Sequence, residues 1–242
     1  MAVFFSLKKE FKMKLFASAF IADELSLATG CEALPLLPYD KLDSPVSTHA
    51  DMLVFSLGNK IFCYEDYYKC NEKIFLAAEK SGYEIVKIAP ASSSYPNDIA
   101  LNVLKIGNFI CGNLKYVAKE ILDYASSLNL EMINVNQGYS ACSTLVLDEN
   151  TAITADKSIF DALTKAGKNV TLISEGGITL EGYNYGFIGG ASCVVGDTVY
   201  FFGDIKNHQN YSEIHKTISS LEMKEISISC GDVFDFGGAR AF

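Results

Sequence analysis

Basic residues are scarce in this sequence, histidine and proline are few, and no stretch of it is both long and apolar. Lys and Arg number 20 against 29 Asp and Glu, a formal charge of −9. A surface so acidic repels phosphate backbones and anionic headgroups, so neither nucleic acid nor a membrane surface is expected as a partner. The three histidines (His49, His208 and His215) include no pair at the spacing of helical metal ligands, and none of the seven cysteines belongs to a Cys-x-x-Cys pair. No metal site is therefore expected. An odd cysteine count argues against a disulfide framework, and reduced thiols in a cytoplasmic protein are the simplest expectation. Near the N-terminus the apolar run from Leu15 to Ala22 has eight residues. A bilayer span needs about 20, and Asp23-Glu24 ends the run without a cleavage signal. No Gly-x-Gly-x-x-Gly leads from a strand into a helix, and Walker lysine, Gly-x-Ser-x-Gly and His-Glu-x-x-His patterns are missing too. These absences imply no cofactor.

What is present has the composition of a folded domain: 49% apolar, 20% charged, with 18 Gly and 5 Pro among 242 residues. A repeat organises it. Helical apolar spacing over Asn71–Lys80, Lys115–Ser127, Lys157–Ala166 and Tyr211–Leu221 is followed each time by a stop residue and a short strand. The predicted strands are Glu84–Ile88, Met132–Val135, Val170–Ile173 and Glu225–Ile228, and a shorter copy runs Ala22–Thr29 then Ala33–Leu37. Before each full helix lies a hairpin, turning at Gly58-Asn59, Gly107-Asn108, Glu149-Asn150 and Gly196-Asp197. The turns are 49, 42 and 47 residues apart. The chain therefore reads as an α/β protein of five ββαβ units, one of them split. Pairing of the N-terminal run Leu15–Phe20 with the C-terminal run Val233–Phe236 would close the units into a ring without a free sheet edge. Residues 1–12 are set apart as an N-terminal extension, and 13–242 form one domain.

A five-unit ββαβ ring resembles the pentein, or α/β-propeller, fold of guanidino-group-modifying enzymes. Four phrases are similar to those of an uncharacterised bacterial family described as having that fold: "YPNDIALNVLKIGN" (Tyr95–Asn108), "VNQGYSACS" (Val135–Ser143), "NYGFIGGAS" (Asn184–Ser192) and "HADM" (His49–Met52). The likeness runs from about Met13 to the C-terminus. It implies one of two classes. Deiminases, dihydrolases and amidinotransferases of this fold use a Cys nucleophile, a His and two carboxylates in the central funnel, which would make the protein a Cys-dependent amidine or guanidine hydrolase, or an amidinotransferase, acting on a small cationic molecule. Non-catalytic relatives, such as the ribosome anti-association factor, keep the ring and lack that set; they would imply a protein that binds a small ligand or a protein partner through its funnel.

The chemistry calls for a thiolate to attack the amidine carbon, carboxylates to hold the cation and a His to move protons. Cys193, in "GGASC", follows two glycines and is the first candidate nucleophile; Gly189 and Gly190 would let the backbone approach a ligand closely. The alternative is a core cysteine opening a strand. His49 and Asp51 form a His-x-Asp resembling that of the enzymes. Asp98 lies 49 residues beyond His49, the equivalent place in the next unit, where it could clamp a cation. Cys142, in "QGYSACS", is the rival nucleophile, with Gln137 and Tyr139 as polar contacts to a substrate. His208, beside a helix start, reads as an exposed loop residue.

Overall fold

The computed structural model describes residues 13–92 and 94–242, so the proposed extension at 1–12 lies outside the described residues. Five three-stranded sheets stand around an axis. The first unit supplies β1 (Lys14–Ser18), α1 (Ala22–Thr29) and β2 (Glu32–Leu36). A single helical turn, α2 (Ala50–Leu53), leads into the second unit: β3 (Val54–Leu57), β4 (Lys60–Tyr64), α3 (Glu65–Cys70), α4 (Glu72–Lys80) and β5 (Glu84–Ile88). The third holds β6 (Leu104–Ile106), β7 (Phe109–Gly112), α5 (Lys119–Ser127) and β8 (Glu131–Asn134). The fourth holds β9 (Thr144–Val146), β10 (Thr151–Thr154), α6 (Lys157–Lys165) and β11 (Asn169–Leu172). The fifth holds β12 (Ser192–Val195), β13 (Thr198–Phe201), α7 (Tyr211–Ser220) and β14 (Lys224–Ser227), and β15 (Ala239–Ala241) follows. Within each complete unit the first strand pairs antiparallel with the second, and the second pairs parallel with the third across the helix.

Local chemistry explains the units. Three of the four hairpins turn on a glycine with positive φ, Gly58, Gly107 and Gly196, a conformation that a side chain would resist. Helix α6 shows how a helix is set: Asp156 accepts a hydrogen bond from the amide of Ile159 at 2.9 Å, satisfying an end that would otherwise be open. Its buried Ile159 and Leu163 then face the core. They join Leu104, Ile106 and Val135 of the preceding unit in one apolar cluster. In the same way Ile214 and Ile218 of α7 pack with Leu145 and Ile153 of the fourth unit. Each of these helices is therefore mortar between neighbouring sheets.

The ring closes through β15 and β1, with Leu15 opposite Ala241 and Phe16 opposite Arg240. Phe16 and Phe242 stack with centroids 4.3 Å apart. The closing strand is not the predicted Val233–Phe236. Gly237 and Gly238, both at positive φ, turn the chain after that run, and its amides instead reach Phe202, Thr179 and Gly190 carbonyls. The predicted strand Glu84–Ile88 coincides with β5, the other three predicted third strands start one residue earlier in the structure, and α2 occupies the residues just before β3. Helix α3 was not expected; Tyr67 and Tyr68 anchor it in the core.

If closure rests on the Phe16 contact, Phe16→Ala should cost about 3–5 kcal/mol in urea unfolding. Leu27→Ala, at a side chain 89% exposed on α1, should stay within about 0.5 kcal/mol.

Candidate active site at the ring axis

The residue two places before each inner strand comes to the axis: Met52, Asn102, Cys142, Gly190 and Gly237. Hydrogen bonds at or beside these positions link unit to unit. The Asn102 amide donates from Nδ2 to Met52 Sδ at 3.3 Å and to Cys142 Sγ at 2.9 Å. Its Oδ1 accepts from the backbone amides of Ala141 and Cys142. Gly190 N–H then donates to Cys142 O, Gly238 N–H to Gly190 O, and Asp51 N–H to Gly237 O. The two glycines leave space that other side chains use. A Cβ on Gly190 would lie 2.0 Å from Asp235 Oδ1, and one on Gly237 would lie 2.3 Å from His49 Cβ.

Beside the axis opens a cavity of about 230 Å³ whose wall includes His49, Cys142, Asp235, Met52, Tyr139 and Phe187. His49 Nδ1 stands 3.7 Å from Asp235 Oδ1 and has no hydrogen-bond partner among the described residues. Asp235 is held by the amides of Phe187 (to Oδ2, 2.8 Å) and Gly237 (to Oδ1, 2.9 Å). Asp51, fully buried, lies close to His49, Asp235 and the Cys142 thiol, yet neither of its oxygens completes a hydrogen bond among the described residues. Arg240, the sole arginine in the sequence, approaches it to 3.9 Å.

Burial dominates the electrostatics. It raises the Asp51 carboxyl to about 6, against the pull of Arg240 and His49. Burial also raises Asp235, opposed by His49 and the two backbone amides. The Cys142 thiol is pushed well above its usual range, by burial first and then by the charges of Asp51 and Asp235. Two carboxylates, a thiol and a histidine are thus packed together with one guanidinium behind them. Such a site holds more carboxylates than cations, and buried oxygens without donors are costly unless a ligand supplies them.

The structure gathers some of the residues singled out in the sequence and separates others. His49, Asp51 and Cys142 meet here. Asp98 stands one layer back: its Oδ2 accepts from the Tyr139 hydroxyl at 2.9 Å, and it is Tyr139 that reaches the cavity wall. Cys193 does not join them. It packs among Leu15, Ala17, Tyr200 and Phe202, burial lifts its thiol to about 12, and it lines a second cavity further along the inner strands, with Arg240. Gln137 braces the scaffold, donating to Asp156 Oδ2 and accepting from Tyr139 N–H. Gly189 and Gly190 do admit close approach, but of the protein itself: the carbonyls of Ala141, Cys142 and Thr144 crowd Gly189, and Asp235 crowds Gly190. His208 is buried, not exposed, and its Nδ1 accepts from Asn210 N–H. Asp235, Asn102 and Arg240 were missed. Asn102 was within reach of the repeat, since it occupies the place in its unit that Cys142 occupies in the next. Among the described residues no cluster of His, Cys, Asp or Glu side chains is arranged to hold a metal ion.

Residues 18–239 match the Family of unknown function (DUF6873). The chain belongs to that family. A search of curated proteins found no match to this DUF6873 sequence. Solved structures with the same fold include DDAH from Pseudomonas aeruginosa complexed with citrulline, at TM-score 0.58 and 12% identity, covering 95% of this chain and 98% of that one. The agmatine deiminase of C. jejuni aligns at TM-score 0.56 and 10% identity over 94% and 92% of the two chains. The inosamine-phosphate amidinotransferase of Streptomyces griseus aligns at 0.56 and 14% over 90% and 75%. This DUF6873 member is thus a pentein-fold protein with five pseudosymmetric units. Among its described residues no helix is long and apolar enough to cross a membrane.

The raised Asp51 carboxyl makes a prediction about pH. Well below pH 3.8 folded and unfolded chains both carry it protonated; above that the unfolded chain ionises first, so burial of Asp51 costs stability increasingly up to about pH 6. Asp51→Asn should therefore match the parent at about pH 3 in urea melts. By pH 7 it should be more stable, by up to about 3 kcal/mol.

Proposed function

We propose that this protein is a thiol-dependent enzyme that modifies the amidine or guanidine group of a small cation, with Cys142 as nucleophile, His49 as proton carrier and Asp235 and Asp51 as counter-charges. The observation that supports this most is the meeting of Cys142, His49 and Asp235 on one cavity wall, with Asp51 directly behind. The sequence pointed first to Cys193; its place in another apolar cluster favours Cys142 instead.

The electrostatics suggest how the thiol would be activated. Burial first, and then the two carboxylates, hold the Cys142 proton on. A bound guanidinium brings positive charge and hydrogen-bond donors to those carboxylates, which removes the main obstacle to ionisation other than burial itself. The Asn102 amide, already donating to Cys142 Sγ, favours the thiolate that results. In the hydrolytic form, the Cys142 proton passes to His49 as Sγ bonds to the guanidine carbon, and the C–N bond then breaks as the departing amine takes that proton from His49. Water, deprotonated by His49, then attacks the thiouronium carbon; the C–S bond breaks, the proton on His49 returns to the thiolate, and the guanidine has become a urea. Neither an oxidant nor a metal enters this balance.

A second reading has its own observation. A thiol so strongly held in its neutral form also suits a ring that binds a cation without turning it over.

The two are separated by measuring ureido product and released amine from a panel of alkylguanidines and amidines. Wild type should turn over at least one of them, Cys142→Ser should lose turnover by about a thousandfold or more while still binding, and Cys193→Ser should keep it within a few fold. Binding without product in the wild type would establish the second reading. Undiminished turnover in Cys142→Ser would remove the nucleophile proposed here.

A further inference from the structure

The outer wall of the cavity carries information about the rest of the ligand. Tyr139, Tyr183 and Tyr185 all line it, and each has a carboxylate at its hydroxyl. Tyr139 donates to Asp98 Oδ2 at 2.9 Å and Tyr183 to Asp43 Oδ2 at 3.2 Å, while Glu175 faces the Tyr185 hydroxyl. A phenol that donates to a carboxylate has a more electron-rich ring, and ring faces turned toward a cavity attract cations. Asp98 also keeps one buried oxygen, Oδ1, without a partner among the described residues. Asp43 and Asp98 lie close enough for each charge to act on the other. Asp43 is exposed, so this acidic pair runs from the second layer of the wall out to the mouth.

Val46, Met52, Leu180 and Phe187 supply the apolar part of the wall, a surface for a hydrocarbon stem. The sole arginine does not contribute to this wall; Arg240 reaches Asp51 from the second cavity. Among the described residues the permanent charges at this wall are acids: Asp235 within, and Asp98, Asp43 and Glu175 at the tyrosine hydroxyls.

Resting on the proposed function, we infer that the substrate is a cation with no carboxylate: an amidine or guanidine head on a short apolar stem, whose far end is neutral or carries a second ammonium held at the Asp43–Asp98 mouth. An amino acid of the same length would place its carboxylate against these acids. Its ammonium would gain what the carboxylate loses, so a free amino acid forfeits the advantage of the mouth. A decarboxylated diamine-like molecule keeps it.

The test uses the full chain carrying Cys142→Ser, so that nothing is consumed, with calorimetric titration of three probes at pH 7.5: agmatine, n-butylguanidine and L-arginine. Agmatine should bind about tenfold tighter than L-arginine or better, the scale of one unbalanced charge near a protein surface. In the double variant with Asp43→Asn, the preference for agmatine over n-butylguanidine should shrink about threefold or more. Equal affinity for agmatine and L-arginine would overturn the inference and leave the cation site standing. If none of the three binds, both the inference and the function it rests on fall.

Discussion

A circuit of hydrogen bonds at the axis holds the five units in register. The Asn102 side chain ties the second unit to the third and the third to the fourth. Backbone amides of Gly190, Gly238 and Asp51 carry the circuit on through the fifth and back to the second. Because the links lie where the inner strands begin, they fix how close the sheets approach and hence how the helices fit between neighbouring sheets. Substituting Asn102 changes two interfaces together. The cavity inherits its shape from the same links: Cys142 is both a member of the circuit and part of the cavity wall.

Pseudosymmetry supplies five equivalent axial positions, and the sequence fills them unequally. Met52, Asn102 and Cys142 bring side chains to the axis, while Gly190 and Gly237 bring none. The space left on the glycine side admits Asp235 and His49, as the 2.0 Å and 2.3 Å approaches show. A nearly symmetric ring thus acquires one polar, one-sided pocket through two adjacent glycines. Their role is to make room for an acid and a histidine rather than for a ligand's backbone contact.

Much of the architecture was legible because it is written locally. The turn dipeptides recur at nearly constant spacing, and the helix faces at Ile159-Leu163 and Ile214-Ile218 follow from apolar period alone. Strand ends slipped by one because a short apolar run does not mark which residue first finds a partner. Val233–Phe236 has the composition of a strand but lies ahead of two glycines that turn the chain before it can pair with β1. The site was harder to read. Cys142 and Cys193 both follow small residues at the start of an inner strand, yet one falls two residues before it and the other lies within it. His49 precedes its inner strand by five residues and Asp98 by six. That offset of one leaves His49 on the cavity wall and Asp98 behind Tyr139, and a period averaged over units of unequal length cannot resolve it. Asp235 and Arg240 meet His49 and Asp51 across 186 and 189 residues of sequence, for which no local pattern exists.

The pairing of β1 with β15 has a consequence for the order of events during synthesis. Phe16 leaves the ribosome well before its strand partner Arg240, which is 224 residues behind it. Until then the first sheet has a vacant inner edge, the aromatic cluster around Phe16 lacks Phe242, and Asp51 has no arginine near it. Local units can form as they emerge, but the longest loop in the protein closes last. Assembly of the polar pocket is thereby postponed until β15 has emerged, and a chain arrested before β15 would carry the thiol and the histidine without the geometry that makes them a site.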